Sequence, residues 1–187
     1  MIVAAIDYSY TSPSITVFDT TKELCFDNVH SFFLTDKKRY SGEFGNVFGH
    51  FYKGWKNNQE RFEFISEWAI QILKKYEVQK VFIEDYAFAA KGQVFTIGEN
   101  TGLLKNKLWK SGIPFEVVAS GTWKKGYMGA GKGAAGKDVI CQFFVDTEGV
   151  NLADRLGTTK LYSTPVNDIV DSFGILKNSI KTLTKIA

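Results

Sequence analysis

Ile2-Val-Ala-Ala-Ile6 runs straight into Asp7, and after Ser9-Tyr-Thr-Ser-Pro13 the chain resumes with Ser14-Ile-Thr-Val-Phe-Asp19. Short β-rich runs split by a Ser- and Pro-containing turn read as strand, turn, strand. A third run, Val29 to Leu34, extends them into an antiparallel meander. Then the period changes. Phe62, Ile65, Ala69, Ile72, Leu73 and Tyr76 recur at helical spacing, which predicts a helix over 59–76 whose apolar face needs a sheet to cover. Val78-Gln-Lys-Val-Phe-Ile-Glu84 and Phe115-Glu-Val-Val-Ala119 read as buried strands with a helix over 93–110 between them. A strand, helix, strand unit implies parallel pairing. Helices over 137–146 and 166–185 follow, the last entered through Thr164 as cap and Pro165 as first helical residue. The expected architecture is α/β, a mixed five-stranded sheet flanked by helices, with no repeat and no linker.

At 187 residues the chain suits a single domain over 1–187, large enough to bury a core without disulfide or metal staples. It is 44% apolar and 23% charged with 3 prolines, values that exclude disordered and collagen-like classes. Cys25 and Cys141 cannot build a disulfide framework, and their spacing is not that of a zinc site. The N-terminus lacks a basic leader and meets Asp7 early, and no apolar run is long enough to span a bilayer, so a cytoplasmic protein without membrane contact is expected. Net charge is +3 but unevenly spread: residues 100–140 hold seven lysines against two acids, while 141–176 hold two bases against five acids. Lysine-rich segments alternating with acidic ones suit a protein whose carboxylates hold metal while its lysines approach a polyanion; a solvated surface of mixed sign gives the same pattern.

Four carboxylates stand where solubility alone would not put them. Asp7 and Glu84 each end an apolar strand, where an unpaired charge is costly. Asp168 and Asp171, three apart at the start of the last helix, share one face. Acids in a first helical turn also complement the helix dipole, so that pair gains its meaning from the other two. An all-oxygen set of this kind suits Mg²⁺, with Mn²⁺ able to substitute.

Ile6-Asp7 in the first strand, Phe82-Ile83-Glu84 in a later one, a Gly-rich basic loop and Asn167-Asp168-Ile-Val-Asp171, in that order, resemble the RuvC family of Holliday junction resolvases, members of the RNase H-like nucleases. The similarity covers residues 1–20 and 80–178 and looks closest to the small phage-encoded branch. It implies an RNase H-like fold whose carboxylates bind two Mg²⁺ ions per active site, with Asp7, Glu84, Asp168 and Asp171 on the four metal positions. It further implies hydrolysis of Holliday junctions and other branched DNA to 5′-phosphate and 3′-hydroxyl ends in recombination, repair or phage DNA processing. Thr122-Trp-Lys124-Lys125 and Gly136-Lys137 resemble the segments whose lysines contact the scissile phosphate; Lys124 and Lys137 are the positional matches, with Lys125 and Lys132 as neighbours able to substitute. The family helix matching the segment that carries Gly98 and Gly102 lies at a homodimer interface, so the resemblance puts the interface there; close packing of those glycines on their own sheet is the alternative.

The chain also departs from the family. The aromatic wedge position is Ala87 here, flanked by Tyr86 and Phe88, either of which can stack on a base or fill core. Residues 36–58 lack a clear counterpart. Lys37-Lys-Arg39 with Tyr40, Phe44, Phe48, Phe51, Tyr52 and Trp55 suits an inserted hairpin or loop touching DNA, or a satellite hydrophobic cluster. Two other functions compete. Gly126-x4-Gly131-Lys132 and Gly131-x4-Gly136-Lys137 match a phosphate-binding loop until Gly133 and Asp138 replace the required Ser or Thr. A non-catalytic junction-binding scaffold is disfavoured by the presence of all four acids. His30 and His50 are too few and isolated for a zinc site.

Overall fold

The computed structural model describes residues 1–85 and 94–183. Seven strands form one sheet in the order β4-β5-β3-β2-β1-β6-β7. The meander β1 (Ile2–Asp7), β2 (Ser14–Asp19) and β3 (Val29–Thr35) is antiparallel. On the other side of β1, β6 (Lys80–Glu84) and β7 (Phe115–Val118) are parallel to it and to each other. The crossovers between them are α1 (Asn58–Lys75) and α2 (Val94–Lys110). Asn57 caps α1, its side chain accepting from Glu60 N at 2.9 Å, which fixes the start that the apolar period left open.

Each sheet face carries its own core because neighbouring strand residues point to opposite sides. Ala4 and Ile6 of β1 face Ile65, Ala69 and Leu73 of α1 and Leu104 and Leu108 of α2. Val3 and Ala5 face the other layer. That layer comprises α3 (Ser120–Met128), α4 (Lys137–Glu148), the short α5 (Leu152–Leu156) and α6 (Val166–Leu183). α6 crosses β1 and β2. It is pinned by hydroxyls as well as by Ile169, Val170 and Phe173: Ser172 Oγ lies 2.7 Å from Thr16 Oγ1 and 3.0 Å from Ser14 Oγ, all fully buried. A hydroxyl chain tolerates less sliding than an apolar seam, so the register of α6 on the sheet is set beside Asp171.

Three expectations need correction. The sheet has seven strands, not five, because residues 36–58 join it. After a 3-10 turn (Lys38–Tyr40), β4 (Gly42–Phe44) and β5 (Val47–Phe51) form a hairpin turned at Gly45-Asn46, and β5 pairs parallel to β3. Strands of three and five residues containing Gly42 and Gly49 carry little intrinsic signal; edge pairing makes them strands. Gly49 is required there, since a Cβ would lie 1.8 Å from Tyr40 O and 2.8 Å from Phe33 Cζ. The satellite-cluster alternative also fails: Tyr40 and Val47 enter the core on one face, while Phe48, Tyr52 and Trp55 pack against the core on the other. Second, α3 and α5 add to the expected helices; α3 gives no periodic signal because Ser-Gly-Thr-Trp-Lys-Lys-Gly-Tyr-Met buries only Trp123 and Tyr127. Third, α6 begins at Val166, with Pro165 one place earlier, its carbonyl accepting from Ile169 N at 3.1 Å.

Candidate active site

Parallel pairing of β1 with β6 aligns Ile6 with Ile83, so Asp7 and Glu84 emerge side by side at the carboxyl ends of adjacent strands. That edge is where open α/β sheets present their ligand sites. The first turn of α6 brings Asp168 and Asp171 to the same place, and all four carboxylates feel one another. Asp7 is 9% exposed and Asp168 5%. Burial, followed by the negative charges of Glu84, Asp171 and Asp168, pushes the Asp7 carboxyl well above the usual carboxylate range. For Asp171, burial and Glu84 raise it to about 7. Asp168 is raised by burial against the opposing pull of its hydrogen bonds and of Lys137.

The side chains around the cluster hold it in place. Ser12 Oγ donates to Asp168 Oδ2 in a short bond, and Asn167 Nδ2 donates to Asp168 Oδ1 at 2.7 Å. Trp123 Nε1 donates to Glu84 Oε1 at 2.8 Å from a fully buried ring. Sequence reasoning misses Ser12 and Trp123, although Trp123 lies inside the lysine segment that resembles the family. A cleft of about 210 Å³ opens beside Asp7 and Glu84, lined also by Tyr10, Asp85, Thr101 and Ser120.

Lys137, at the start of α4, lowers the carboxyls of Asp7, Asp168 and Asp171, and Lys124 lowers that of Asp171. Lys124 Nζ also approaches Ala135 O at 3.5 Å, which ties α3 to the glycine-rich loop. Lys125 and Lys132 are exposed; Lys132 lines a separate groove with Asp138, Phe143 and Tyr162. The phosphate-loop alternative fails structurally, because helix α3 rather than a strand precedes this loop. Tyr86, Ala87 and Phe88 lie outside the described residues. A Cβ at Gly98 or Gly102 meets nothing within 4 Å, so close packing of either on their own sheet is excluded. Among the described residues no three His, Cys, Asp or Glu side chains converge tightly enough to enclose a cation as they stand. The cluster is a shared acidic field, and its donors are all carboxylate oxygens, the chemistry that fits a hard divalent cation.

Comparison with known proteins gives the fold. No protein-family model matches the sequence, and no curated protein is significantly similar to it. Solved structures do match. Thermus thermophilus RuvC is 17% identical with a TM-score of 0.60, covering 98% of this chain and 98% of its own. The fold is that of the RuvC-type resolvases. T. thermophilus RuvC in complex with a Holliday junction substrate matches at 13% identity and a TM-score of 0.59, over 97% of this chain and 96% of that one. The yeast mitochondrial Holliday junction resolvase Ydc2 matches at 12% and 0.57, over 98% and 79%. Identities this low carry the fold; function rests on this chain's own residues. No helix among the described residues is long and apolar enough to cross a membrane.

Within this RuvC-type fold, Gly174 of α6 sets the position of Trp123. A Cβ at Gly174 would lie 2.6 Å from Trp123 Cζ3 and 3.1 Å from Tyr127 Cδ1. The indole would have to move, and Glu84 with it. On the nuclease reading proposed below, in which Glu84 would hold a metal ion, Gly174→Ala and Trp123→Phe are expected to lower single-turnover DNA cleavage by about 10- to 100-fold, the usual scale for removing a partner that orients a metal ligand. Junction affinity should stay within about twofold, since both positions are buried away from solvent. Unchanged cleavage in Trp123→Phe would show that the hydrogen bond to Glu84 is dispensable.

Proposed function

We propose that the protein is a Mg²⁺-dependent endonuclease that cleaves Holliday junctions and related branched DNA. The observation that carries this reading is the convergence of Asp7, Glu84, Asp168 and Asp171, three of them with raised carboxyls, at the carboxyl edge of a RuvC-type sheet. Four clustered acids, Asp7 and Asp168 buried and Glu84 and Asp171 half-buried, faced by two lysines store mutual repulsion that only protons or cations relieve. Asp7, Glu84, Asp168 and Asp171 would hold two Mg²⁺ ions, which would supply an activated water and stabilisation of the leaving 3′ oxygen. The chain's own groups do the rest. Trp123 holds one oxygen of Glu84, while Ser12 and Asn167 orient Asp168. Lys137 and Lys124, already in the field of the cluster, would meet the phosphate being cut and offset part of the charge that would otherwise repel it. A nicking assay on four-way, three-way, flap and linear duplexes tests the reading: cuts confined to branch points support it, and equal cutting of linear duplex replaces it with a general nuclease. Junction binding without cuts on any substrate would leave the scaffold alternative.

A four-way junction has two symmetry-related strands to cut, and one chain supplies one carboxylate cluster, so a two-fold dimer matches the substrate. The exposed stripe of α2 supports the helix as interface. Beside Gly98 and Gly102 it presents Phe95, 87% exposed, and Trp109, 73% exposed, two aromatics with no distinguishing mark in the sequence. Because a side chain at Gly102 strains nothing in the monomer, Gly102→Leu should leave the fold intact and gain roughly 1 kcal/mol of helix propensity. It is expected to shift the protein to monomer in analytical ultracentrifugation and to abolish paired nicking while single nicks survive. A persistent dimer would move the axis elsewhere.

A further inference from the structure

The segments flanking the edge hairpin build a second polar site beside the carboxylates. A cavity of about 310 Å³ is bounded by Ser12, Lys37, Tyr52, Arg61 and Thr164. A neighbouring one of about 190 Å³ shares Lys37, Tyr40 and Thr164 with it and adds Arg39 and Lys160. Together they form one groove with four bases, Lys37, Arg39, Arg61 and Lys160, against a single acid, Asp36. Its inner end is Ser12, whose hydroxyl donates to Asp168 in the carboxylate cluster.

Arg61 is held there with unusual care for a residue with so few polar partners. Its guanidinium carbon lies 3.6 Å from the centre of the Tyr10 ring and 4.5 Å from that of Trp55. Trp55 stacks in turn on Tyr52 at 4.0 Å, and Tyr52 is anchored by donating its hydroxyl to Thr11 O at 2.9 Å. Among the described residues Arg61 enters no salt bridge, and its buried Nε has no hydrogen-bond partner, the Tyr52 hydroxyl being the one polar group the guanidinium meets. Two ring faces fix the plane of the guanidinium at little entropic loss, and its terminal N–H groups, on the cavity side, are left to an acceptor from outside. A planar fork with an unfilled edge, in a basic groove lined by hydroxyls, has the chemistry of a phosphate receptor.

We propose that this groove binds the sugar–phosphate backbone of one DNA strand as it leaves the carboxylate cluster, with Arg61 and Lys37 on the phosphate nearest the cluster and Arg39 and Lys160 on the next. The proposal rests on the branched-DNA reading above and gives the segments flanking the hairpin their role: Lys37, Arg39, Tyr40 and Tyr52, on either side of the strands that widen the sheet, line a strand channel. Lys38 supplies an internal control. Its amine sits over the Phe51 ring at 6.0 Å and borders neither cavity.

The test is fluorescence anisotropy of a fluorescein-labelled four-way junction in EDTA, titrated with the full chain across a series of NaCl concentrations. Withdrawing one cationic side chain from a phosphate should lower the slope of log K against log salt by about one, so Lys37→Gln and Arg61→Gln are each expected to weaken binding about tenfold with that change of slope. Lys38→Gln should keep the wild-type slope. Because Arg61 is packed between rings, circular dichroism checks that its variant folds, and the exposed Lys37 keeps the test decisive if it does not. Wild-type slopes in both Lys37→Gln and Arg61→Gln overturn the groove while leaving the functional reading intact. An equal fall in Lys38→Gln also overturns it, since the effect would then be net charge. Failure of the wild-type chain to bind the junction at all sinks the groove and the functional reading together.

Discussion

Asp7→Asn and Glu84→Gln are each expected to lower single-turnover junction cleavage by about 10³-fold or more, while junction binding stays equal or tightens. The magnitude follows from removing a charge that would hold the catalytic cations of the proposed reaction, interactions contributing several kcal/mol to the barrier, where each 1.36 kcal/mol is about tenfold. The opposite sign for binding follows from electrostatics: each substituted carboxylate takes a negative charge out of a cleft that must admit phosphates. Asp171→Asn belongs with them. Asp168 differs, because Ser12 and Asn167 already occupy both its oxygens as donors, so Asp168→Asn should be milder. Gel-shift and quenched-flow measurements on the same preparations separate the two effects. Retained cleavage in Asp7→Asn would remove that residue from the site.

The second large effect is on stability. Asp171 titrates at about 7 in the folded chain against 3.8 as its ordinary value, and Asp7 is displaced in the same direction. A carboxyl raised by folding binds its proton more tightly in the native state. Its stabilising contribution is therefore full below about pH 4, where both states are protonated, and is lost as pH rises toward 7. In EDTA the native state should thus carry its greatest penalty from this cluster at pH 8. Asp171→Asn removes that penalty and is expected to raise Tm at pH 8 by about 5 °C, a difference that shrinks toward zero near pH 4. Mg²⁺ should raise Tm of the wild type at pH 8 more than that of the variant, because cations relieve the same repulsion by binding the native state. Differential scanning calorimetry across pH, with and without Mg²⁺, reads both. A variant less stable than the wild type at pH 8 would mean that burial is compensated by contacts not carried by charge.

How much of this is legible in sequence follows from what sets each element. β1, β2, β3, β6 and β7 and the long helices announce themselves because their apolar periods are strong, and Asp7 and Glu84 stand out as charges at the ends of such runs. The hairpin β4-β5 does not, because glycine-rich edge strands owe their conformation to the neighbouring strand. Trp123 reads as part of a lysine segment, and its hydrogen bond to Glu84 is a contact across 39 residues that no local pattern encodes. Gly174 looks like any helical glycine until the indole against it is visible. Arg61 falls on the helical period of α1 without distinction; only folding sets it between Tyr10 and Trp55. Local pattern thus finds the acidic cluster, and tertiary packing supplies the groups that aim it.

The most direct test of the central claim is single-turnover cleavage of a 5′-labelled four-way junction by the wild-type chain, first in EDTA and then after adding excess Mg²⁺. No product is expected in EDTA, and in Mg²⁺ cuts are expected at the branch, with ends a DNA ligase can reseal, as 5′-phosphate and 3′-hydroxyl termini require. Cleavage that continues undiminished in EDTA, or no cleavage in Mg²⁺ or Mn²⁺ by a chain that binds the junction, would contradict it.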